Sequence, residues 1–171
     1  MHPDSDNLFF ALHPQPDAAA ELSAARDWLA EPATTRISTP RLHLTLLMIA
    51  HRAPIRMLGE SARSVLEAIV LPACRVMFDR LIGGRRSAFV CPSEPLRGLD
   101  RMQAALASEL AMAGIFPPKW WRFRPHVTLL YGVQPFTAAI DPIGWHAQEL
   151  VLIRSHVGRT HHETIGRWTL R

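Results

Sequence analysis

The chain has few of the features that mark secreted or membrane proteins. It contains two cysteines, Cys74 and Cys91, which are too few for a disulfide framework, so a reducing compartment is the default. No run of apolar residues approaches the length that spans a membrane. Residues 1–6 contain neither a basic n-region nor an apolar h-region, so nothing there indicates secretion. We therefore expect a cytoplasmic protein without membrane contact.

Lysine is almost absent as well. Lys119 is the only lysine among 19 basic residues, and the net charge is +4. This balance allows an anionic partner but does not establish one, because arginine-rich usage can reflect genome composition alone. Arginine does favour planar, bidentate contact with phosphate.

The length of 171 residues suits one compact domain or two small fused lobes, with enough chain for a substantial core.

A seven-residue pattern occurs twice, as RLHLTLL at residues 41–47 and as RPHVTLL at residues 124–130, with five of seven positions identical. An apolar residue between His and Thr, followed by two leucines, is typical of a strand, in which side chains two residues apart share a face. His43 and Thr45 should therefore share a face, as should His126 and Thr128. The apolar residues that alternate with them should point into a core: Leu44, Leu46, Val127 and Leu129.

The repeat extends beyond the two motifs. Residues 9–12 and 88–91 are each typical of a short strand that ends near a proline. Apolar-periodic stretches at about 18–29 and 96–113 predict helices, and Gly114 stands where the second should stop. The order strand, helix, His-x-Thr strand thus occurs twice. We also predict a helix at 55–70 and strands at 75–79, 148–157 and 164–170.

These elements predict an α+β fold formed by internal duplication. We expect residues 1–171 to form a single bilobal domain, with sequence halves near 1–80 and 81–171. A single His-x-Thr triplet most often contains a structural histidine with a satisfied hydrogen bond. Two copies with the same flanking residues are much harder to explain in that way. Two imidazoles and two hydroxyls together suit acid–base work on a phosphoryl group.

The sequence resembles the two-histidine phosphoesterase superfamily, specifically the bacterial RNA 2′,3′-cyclic phosphodiesterases, also called 2′-5′ RNA ligases. Residues 9–12 resemble the opening strand of the family, residues 41–47 and 124–130 match its two HxTx motifs, and residues 152–170 resemble its closing strand pair. The resemblance covers nearly the whole chain. It implies two similar lobes, each an antiparallel sheet with helices outside, facing each other across a cleft. Two positions depart from the family pattern: Tyr131 replaces a frequent Arg, and His162 replaces a common Tyr.

The resemblance implies hydrolysis of 2′,3′-cyclic phosphate ends of RNA or of small cyclic nucleotides, without metal or other cofactor. His43 and His126 would serve as the acid–base pair, and the hydroxyls of Thr45 and Thr128 would donate to the non-bridging phosphate oxygens. A reversible 2′-5′ RNA ligase would use the same two histidines in reverse. An RNA-binding module without turnover is an alternative from another class, although the sequence retains all four residues. We expect a monomer.

Several other residues are candidate substrate contacts. Arg41 and Arg124 stand two residues before each histidine and would share its face, where they could bind phosphate. Trp120 and Trp121 alternate with basic residues and could stack on a base, or could simply pack against the neighbouring lobe. The Tyr131 hydroxyl could donate a hydrogen bond. The segment 161–163 (HHE) raises the alternative of a metal-binding protein, but adjacent strand residues point to opposite faces.

Overall fold

The computed structural model describes residues 6–50, 53–84, 86–156 and 161–171. Within these ranges the chain forms three helices, α1 (Pro16–Leu29), α2 (Ile55–Ala68) and α3 (Arg97–Met112). The first strands are β1 (Asn7–Leu12), β2 (Thr35–Arg36), β3 (Leu44–Ile49), β4 (Cys74–Gly83) and β5 (Ser87–Cys91). The remaining strands are β6 (Val127–Tyr131), β7 (Phe136–Ala147), β8 (Glu149–His156) and β9 (His161–Thr169). A short 3₁₀ turn at Thr39–Arg41 precedes β3.

All strand pairings within the described part of the chain are antiparallel, and they connect two groups of four strands. One group has the order β7-β4-β5-β6 and the other the order β3-β1-β8-β9, while β2 pairs with β6. The groups join where Leu44 of β3 pairs with Val127 of β6. The α+β class is therefore confirmed. The two sheets that we expected are joined at this point into one antiparallel sheet.

Each strand group contains segments from distant parts of the chain. β4, which precedes residue 84, lies in the group that contains the second His-x-Thr motif. The closing strands β8 and β9 return to β1 and therefore to the group of the first motif. Each strand group therefore contains segments from both sides of residue 80. The division of the sequence into two duplicated halves near that residue remains a prediction.

The duplication is visible in a repeated irregularity of the two motif strands. Beside the first motif, Ala11 pairs with Thr45 but Phe10 pairs with Leu47, so Leu46 is an extra residue in a β-bulge. Beside the second motif, Phe89 pairs with Thr128 but Ala88 pairs with Leu130, so Leu129 is the extra residue. The same bulge thus follows each His-x-Thr triplet.

The bulge changes which face the residues after each threonine occupy. Partners in an antiparallel pair share a face, and alternate residues on the neighbouring strand share that face too. Tyr131 pairs with Ser87, two residues from Phe89, so Tyr131 lies on the same face as Thr128 although it is three residues away. Simple alternation from the sequence does not predict this placement.

The helices cover the face opposite the histidines. α1 packs against β6 and β7, α2 against β9, and α3 against β3 and β4, so α3 bridges the two strand groups. The residues of α3 predicted to face the core are fully buried: Leu99, Met102, Leu106 and Leu110. α3 ends before Gly114, which has the left-handed φ of 75° expected of a C-terminal cap. The predicted stop is confirmed.

The helices predicted from periodicity and most of the predicted strands are present with small shifts at their ends. The sequence reading missed β2 and the long strand β7, which pairs with β4 over most of its length. Pro142 cannot donate to a ladder, and it lies beside the register shift that separates Phe78 from Arg80 on the partner strand. A proline among alanines and a glycine weakens the sequence signal for a strand. The predicted strand end at residue 157 lies outside the described residues.

No helix in the described part of the chain is long and apolar enough to cross a membrane. The cytoplasmic location remains a prediction.

Candidate active site

The two His-x-Thr motifs lie where the two strand groups meet. His43 immediately precedes β3, and His126 immediately precedes β6. The residues that follow them, Leu44 and Val127, form the pair that joins the two groups and are fully buried. The junction of the sheet therefore brings together two histidines that are far apart in the sequence.

The register at this junction sets each histidine against the threonine of the other motif. In an antiparallel ladder, the residues before and after a pair face each other across the strands. Continuing the Leu44–Val127 register places His43 across from Thr128 and His126 across from Thr45. All four side chains are half-buried, whereas the leucine and valine between them are buried. Their shared face and partial exposure leave them accessible to solvent at the sheet junction.

Both imidazoles have the same tautomer, because each one makes the same hydrogen bond. Nδ1 of His43 lies 2.7 Å from the carbonyl oxygen of Arg41, and Nδ1 of His126 lies 2.7 Å from the carbonyl oxygen of Arg124. A carbonyl can only accept, so Nδ1–H donates in both cases. In the neutral ring, the proton acceptor is then Nε2, which each histidine presents for chemistry.

The local backbone that places these carbonyls differs between the two motifs. Arg41 ends the 3₁₀ turn Thr39–Arg41, whose hydrogen bonds orient the backbone before His43. Arg124 precedes Pro125, and a residue before proline is restricted to extended conformations. Two different local structures therefore give the same hydrogen bond to the histidine two residues later.

An aromatic ring contacts each histidine from the neighbouring strand. Phe9 of β1 stacks on His43, with ring centroids 5.1 Å apart and an interplanar angle of 24°. Phe89 of β5 meets His126 at 5.4 Å and 68°, in an edge arrangement. These contacts fix the ring planes and leave Nε2 as the reactive position.

Comparison with known proteins identifies the superfamily of the chain. The sequence model of the 2′-5′ RNA ligase superfamily matches residues 14–159. The chain belongs to this superfamily, a group of two-histidine phosphoesterases. The resemblance seen in the sequence is thus confirmed. No curated protein matches the sequence.

Solved structures of similar fold cover nearly the whole chain. E. coli LigT complexed with 3′-AMP has a TM-score of 0.77 and 22% identity, covering 96% of this chain and 98% of that one. The protein TT0787 of Thermus thermophilus has a TM-score of 0.77 and 20% identity, with the same coverage. A further structure, described as a phosphoesterase, has a TM-score of 0.76 and 22% identity, covering 96% and 98% of the two chains. At these identities the likeness concerns the fold.

In this member of the superfamily, the surroundings of His43 keep it neutral. Burial lowers the pKa of His43 from 6.5 to about 4, although the hydrogen bond to the Arg41 carbonyl opposes the shift. Electrostatic interaction with the neighbouring His162, His13 and His126 rings lowers the pKa of His43 further. The pairing of Leu44 with Val127 brings the two motif histidines together at the sheet junction.

His162 of β9 packs at the edge of the His43 ring and holds Arg41. The centroids of the His43 and His162 rings are 5.4 Å apart, and Nη2 of Arg41 lies 3.4 Å from Nε2 of His162. A guanidinium only donates, so Nε2 of His162 accepts and its ring is neutral, with the proton on Nδ1. Burial, and then the charge of Arg41, lower the pKa of His162 to about 4, which agrees with a neutral ring.

Arg41 and His162 each have one buried nitrogen donor that has no hydrogen-bond partner among the described residues. They are Nε of Arg41 and Nδ1 of His162. Arg124, the equivalent of Arg41 in the second motif, has an exposed side chain instead. The two motif arginines, which we expected to be equivalent phosphate contacts, are therefore in different environments.

The other predicted substrate contacts are spread along the second half. Trp120 is 73% exposed, whereas Trp121 is half-buried with its ring centroid 6.4 Å from that of Phe123. Tyr131 lies at the end of β6, 46% exposed, on the same face as Thr128. Their roles in binding remain predictions.

The structure brings further residues to the site that the sequence reading did not select. His13 lies 6.5 Å from His43 between ring centroids and directs Nδ1 to the Leu42 carbonyl at 3.1 Å. The sequence held a signal for His13. Alternate residues of a strand share a face, so Phe9, Ala11 and His13 are expected on one face. Phe123 also carried a signal, because it belongs to the run of alternating basic and aromatic residues at 119–124 and stands three residues before His126.

The segment 161–163 divides between the two faces of β9, as its alternation predicts. His162 faces the His43 side, while His161 stacks on His156 with centroids 5.3 Å apart, and Glu163 accepts from the same His156. Among the residues that the structure describes, no three or more His, Cys, Asp or Glu side chains are grouped to hold a metal ion.

Proposed function

We propose that this protein hydrolyses 2′,3′-cyclic phosphate ends of RNA or small cyclic nucleotides by acid–base catalysis, with no metal required. The observation that carries the proposal is the matched pair of histidines. Each one donates from Nδ1 to a backbone carbonyl at 2.7 Å, which leaves Nε2 as the nitrogen available for proton transfer. Membership of a superfamily of two-histidine phosphoesterases supports the same chemistry.

The reaction needs one proton acceptor and one proton donor. One imidazole takes a proton from the attacking water as its oxygen bonds to phosphorus. The other gives a proton to the ribose oxygen as the ring P–O bond breaks, which leaves a phosphomonoester beside a free hydroxyl. Exchange of protons with solvent restores the starting pair. Each proton transfer typically contributes about 10²–10⁴-fold to the rate.

The threonine hydroxyls complete the site. Thr45 and Thr128 share the face of the histidines and stand across the junction from them. Their hydroxyls would donate to the two non-bridging oxygens, where negative charge grows in the transition state. An anionic phosphate between the motifs would also favour the protonated form of the neighbouring imidazoles, because opposite charge raises a histidine pKa.

The superfamily description also supports a ligase reaction. The same two histidines could act in reverse, activating a 5′-hydroxyl to attack a cyclic phosphate and form a 2′-5′ bond. An RNA-binding module without turnover is the remaining alternative.

One assay tests all three. The purified chain is incubated with EDTA and with 2′,3′-cyclic mononucleotides, oligonucleotides with cyclic ends, and pairs of cyclic-ended and 5′-hydroxyl oligonucleotides. Products are identified by chromatography and ³¹P NMR. We expect phosphomonoester products at an unchanged rate in EDTA. Joined products would favour the ligase, binding without products would favour the module, and a strict need for a divalent ion would contradict the metal-free mechanism.

A further inference from the structure

The carbonyls that orient the two motif histidines are held in different ways. Pro125 stands before His126, and its ring restricts the preceding Arg124 to an extended conformation, so local covalent geometry places the Arg124 carbonyl. Leu42 stands in the corresponding position of the first motif and imposes no such restriction. The single 3₁₀ turn before it, Thr39–Arg41, has hydrogen bonds of poorer geometry than an α-helix. The first motif thus lacks the covalent restraint that the second one has.

Two side chains from distant parts of the sheet hold the backbone of the first motif instead. Nη2 of Arg41 donates to Nε2 of His162 at 3.4 Å, which ties the Arg41 side chain to β9. Nδ1 of His13 lies 3.1 Å from the carbonyl oxygen of Leu42, and His13 donates because a carbonyl only accepts. The residue whose carbonyl accepts from His43 is therefore held through its own side chain, and His13 holds the next peptide group.

The ring of His162 is itself held in one orientation. It meets the His43 ring edge-on, at 5.4 Å and 73°, and the Phe9 ring at 5.8 Å and 78°. Phe9 also stacks on His43, so the three rings form one cluster. The nitrogen that accepts from Arg41 is therefore presented at a defined place beside His43. Arg124, in contrast, has an exposed side chain.

The contact between Arg41 and His162 is a poor choice for stability alone. Nε of Arg41 and Nδ1 of His162 are buried without hydrogen-bond partners among the described residues. Unpaired buried donors lower stability, and an apolar pair of similar shape would avoid that loss. An arrangement that retains such donors beside a reactive group calls for a functional explanation.

We infer that His162 is a positioning residue for His43 and that it acts through Arg41, whose carbonyl orients the His43 ring. The inference rests on the proposed function, in which Nε2 of His43 takes part in proton transfer and Nδ1 keeps its proton. The His162 ring must be neutral for this role, because an imidazolium has no lone pair to accept from a guanidinium. In the second motif, Pro125 has the corresponding role.

Two pairs of substitutions at residue 162 separate the hydrogen-bond acceptor from the shape of the side chain. Tyr and Phe share a ring, and Gln and Leu are close in size, but only Tyr and Gln can accept from Arg41. With a 2′,3′-cyclic mononucleotide, we expect His162→Phe and His162→Leu to lower kcat by about 10–100-fold with little change in KM, because a misplaced His43 affects the chemical step. His162→Tyr and His162→Gln should retain most of the activity.

The neighbouring histidine provides the matched control. His161 lies on the opposite face of β9, where it is exposed and stacks on His156, so His161→Phe should match the wild type. Circular dichroism excludes a variant that fails to fold, and the other pair then decides. Losses that follow shape, with the Tyr variant like the Phe variant and the Gln variant like the Leu variant, would overturn the inference. Wild-type kcat in the Phe and Leu variants would overturn it as well.

A double-variant cycle tests whether His162 acts through Arg41. Once Arg41→Met has removed the donor, adding His162→Phe should lower kcat no further, because both changes break the same contact. The comparison is independent of any contact between Arg41 and phosphate, since the second change is measured against the Arg41 variant. A further loss of about 10-fold or more would show that His162 acts without Arg41, which would overturn the inference.

Nitrogen-15 NMR of the imidazole rings gives a readout that needs no turnover. At neutral pH the wild type should show His43 as a single tautomer with its proton on Nδ1, whereas His162→Phe should give a mixture of both tautomers. His126 is the internal control and should keep its proton on Nδ1 in both proteins. An unchanged His43 tautomer in the Phe variant would overturn the inference. Because this measurement does not depend on hydrolysis, failure of the positioning role is distinguishable from failure of the proposed reaction.

Discussion

At the scale of single residues, the two histidines share a hydrogen-bond geometry but not an environment. Both donate from Nδ1 to a carbonyl two residues earlier. His43 is also surrounded by other cationic or titratable side chains, which His126 is not to the same degree. The common geometry suits both rings to the proposed reaction, and burial lowers the pKa of His43 to about 4.

Replacing either histidine should therefore remove a proton-transfer partner. We expect His43→Ala and His126→Ala each to lower kcat by about 10²–10⁴-fold. The double variant should be little worse than either single one, because both rings act in the same transition state. Circular dichroism provides the control for folding. Activity near that of the wild type in either single variant would show that the assignment is wrong.

The threonine hydroxyls can be tested without changing side-chain shape. Thr45→Val and Thr128→Val keep the β-branched form that a strand favours but remove the donor. Each should lower kcat by about 10–10³-fold, near or below the loss typical of one oxyanion donor. Thr→Ser at the same positions is the matched control and should retain more activity. If Val and Ser variants behave alike, the hydroxyls do not contact the phosphate.

At the scale of elements, α3 offers a test of what glycine contributes to each end of a helix. Gly98 lies in the first turn with φ in the ordinary range, and an added Cβ would meet Cys74 at 3.4 Å, an ordinary contact. Gly114 follows the helix with φ 75° and has open space around it. The same substitution should therefore have opposite effects at the two ends.

We expect Gly98→Ala to raise the free energy of unfolding by about 0.4–1 kcal/mol, because alanine loses less conformational freedom on folding. Gly114→Ala should lower it by about 1–2 kcal/mol, because a Cβ is strained at positive φ. Urea unfolding of both variants measures the difference. Two changes of the same sign would contradict this account of the helix terminus.

At the scale of the whole molecule, stability should depend on pH through two neutral histidines. Burial lowers the pKa values of His43 and His162 from 6.5 to about 4. Between these values the unfolded chain binds protons that the folded chain does not, so acid favours unfolding. The free energy of unfolding should be highest above about pH 6.5 and should fall as the pH is lowered towards 4.

Urea unfolding at several pH values measures this dependence. Replacing both histidines with Gln should flatten the curve between pH 6.5 and about 4, since the titrating groups are removed. His146→Gln, which changes an exposed histidine, is the matched control and should leave the curve as in the wild type. An unchanged slope in the double variant would show that other groups cause the acid sensitivity.

The sequence by itself determined which side chains could do chemistry and where most regular elements lie. His-x-Thr motifs, apolar periodicity and the glycine stop of α3 are local features, because strand and helix periods follow from backbone geometry. Buried Leu44, Leu46, Val127 and Leu129 agree with that reading. The α+β class and the superfamily resemblance also followed from these local patterns.

Only the tertiary structure decided which segments became neighbours. The matched bulges, the return of β8 and β9 to β1, and the gathering of His13, Arg41 and His162 around His43 depend on strand pairings between distant residues. The same holds for Phe89 of β5, which the pairing of β5 with β6 sets against His126. Such pairings are set by the packing of one shared core, whereas the local pattern of a strand fixes its two faces but not its partner.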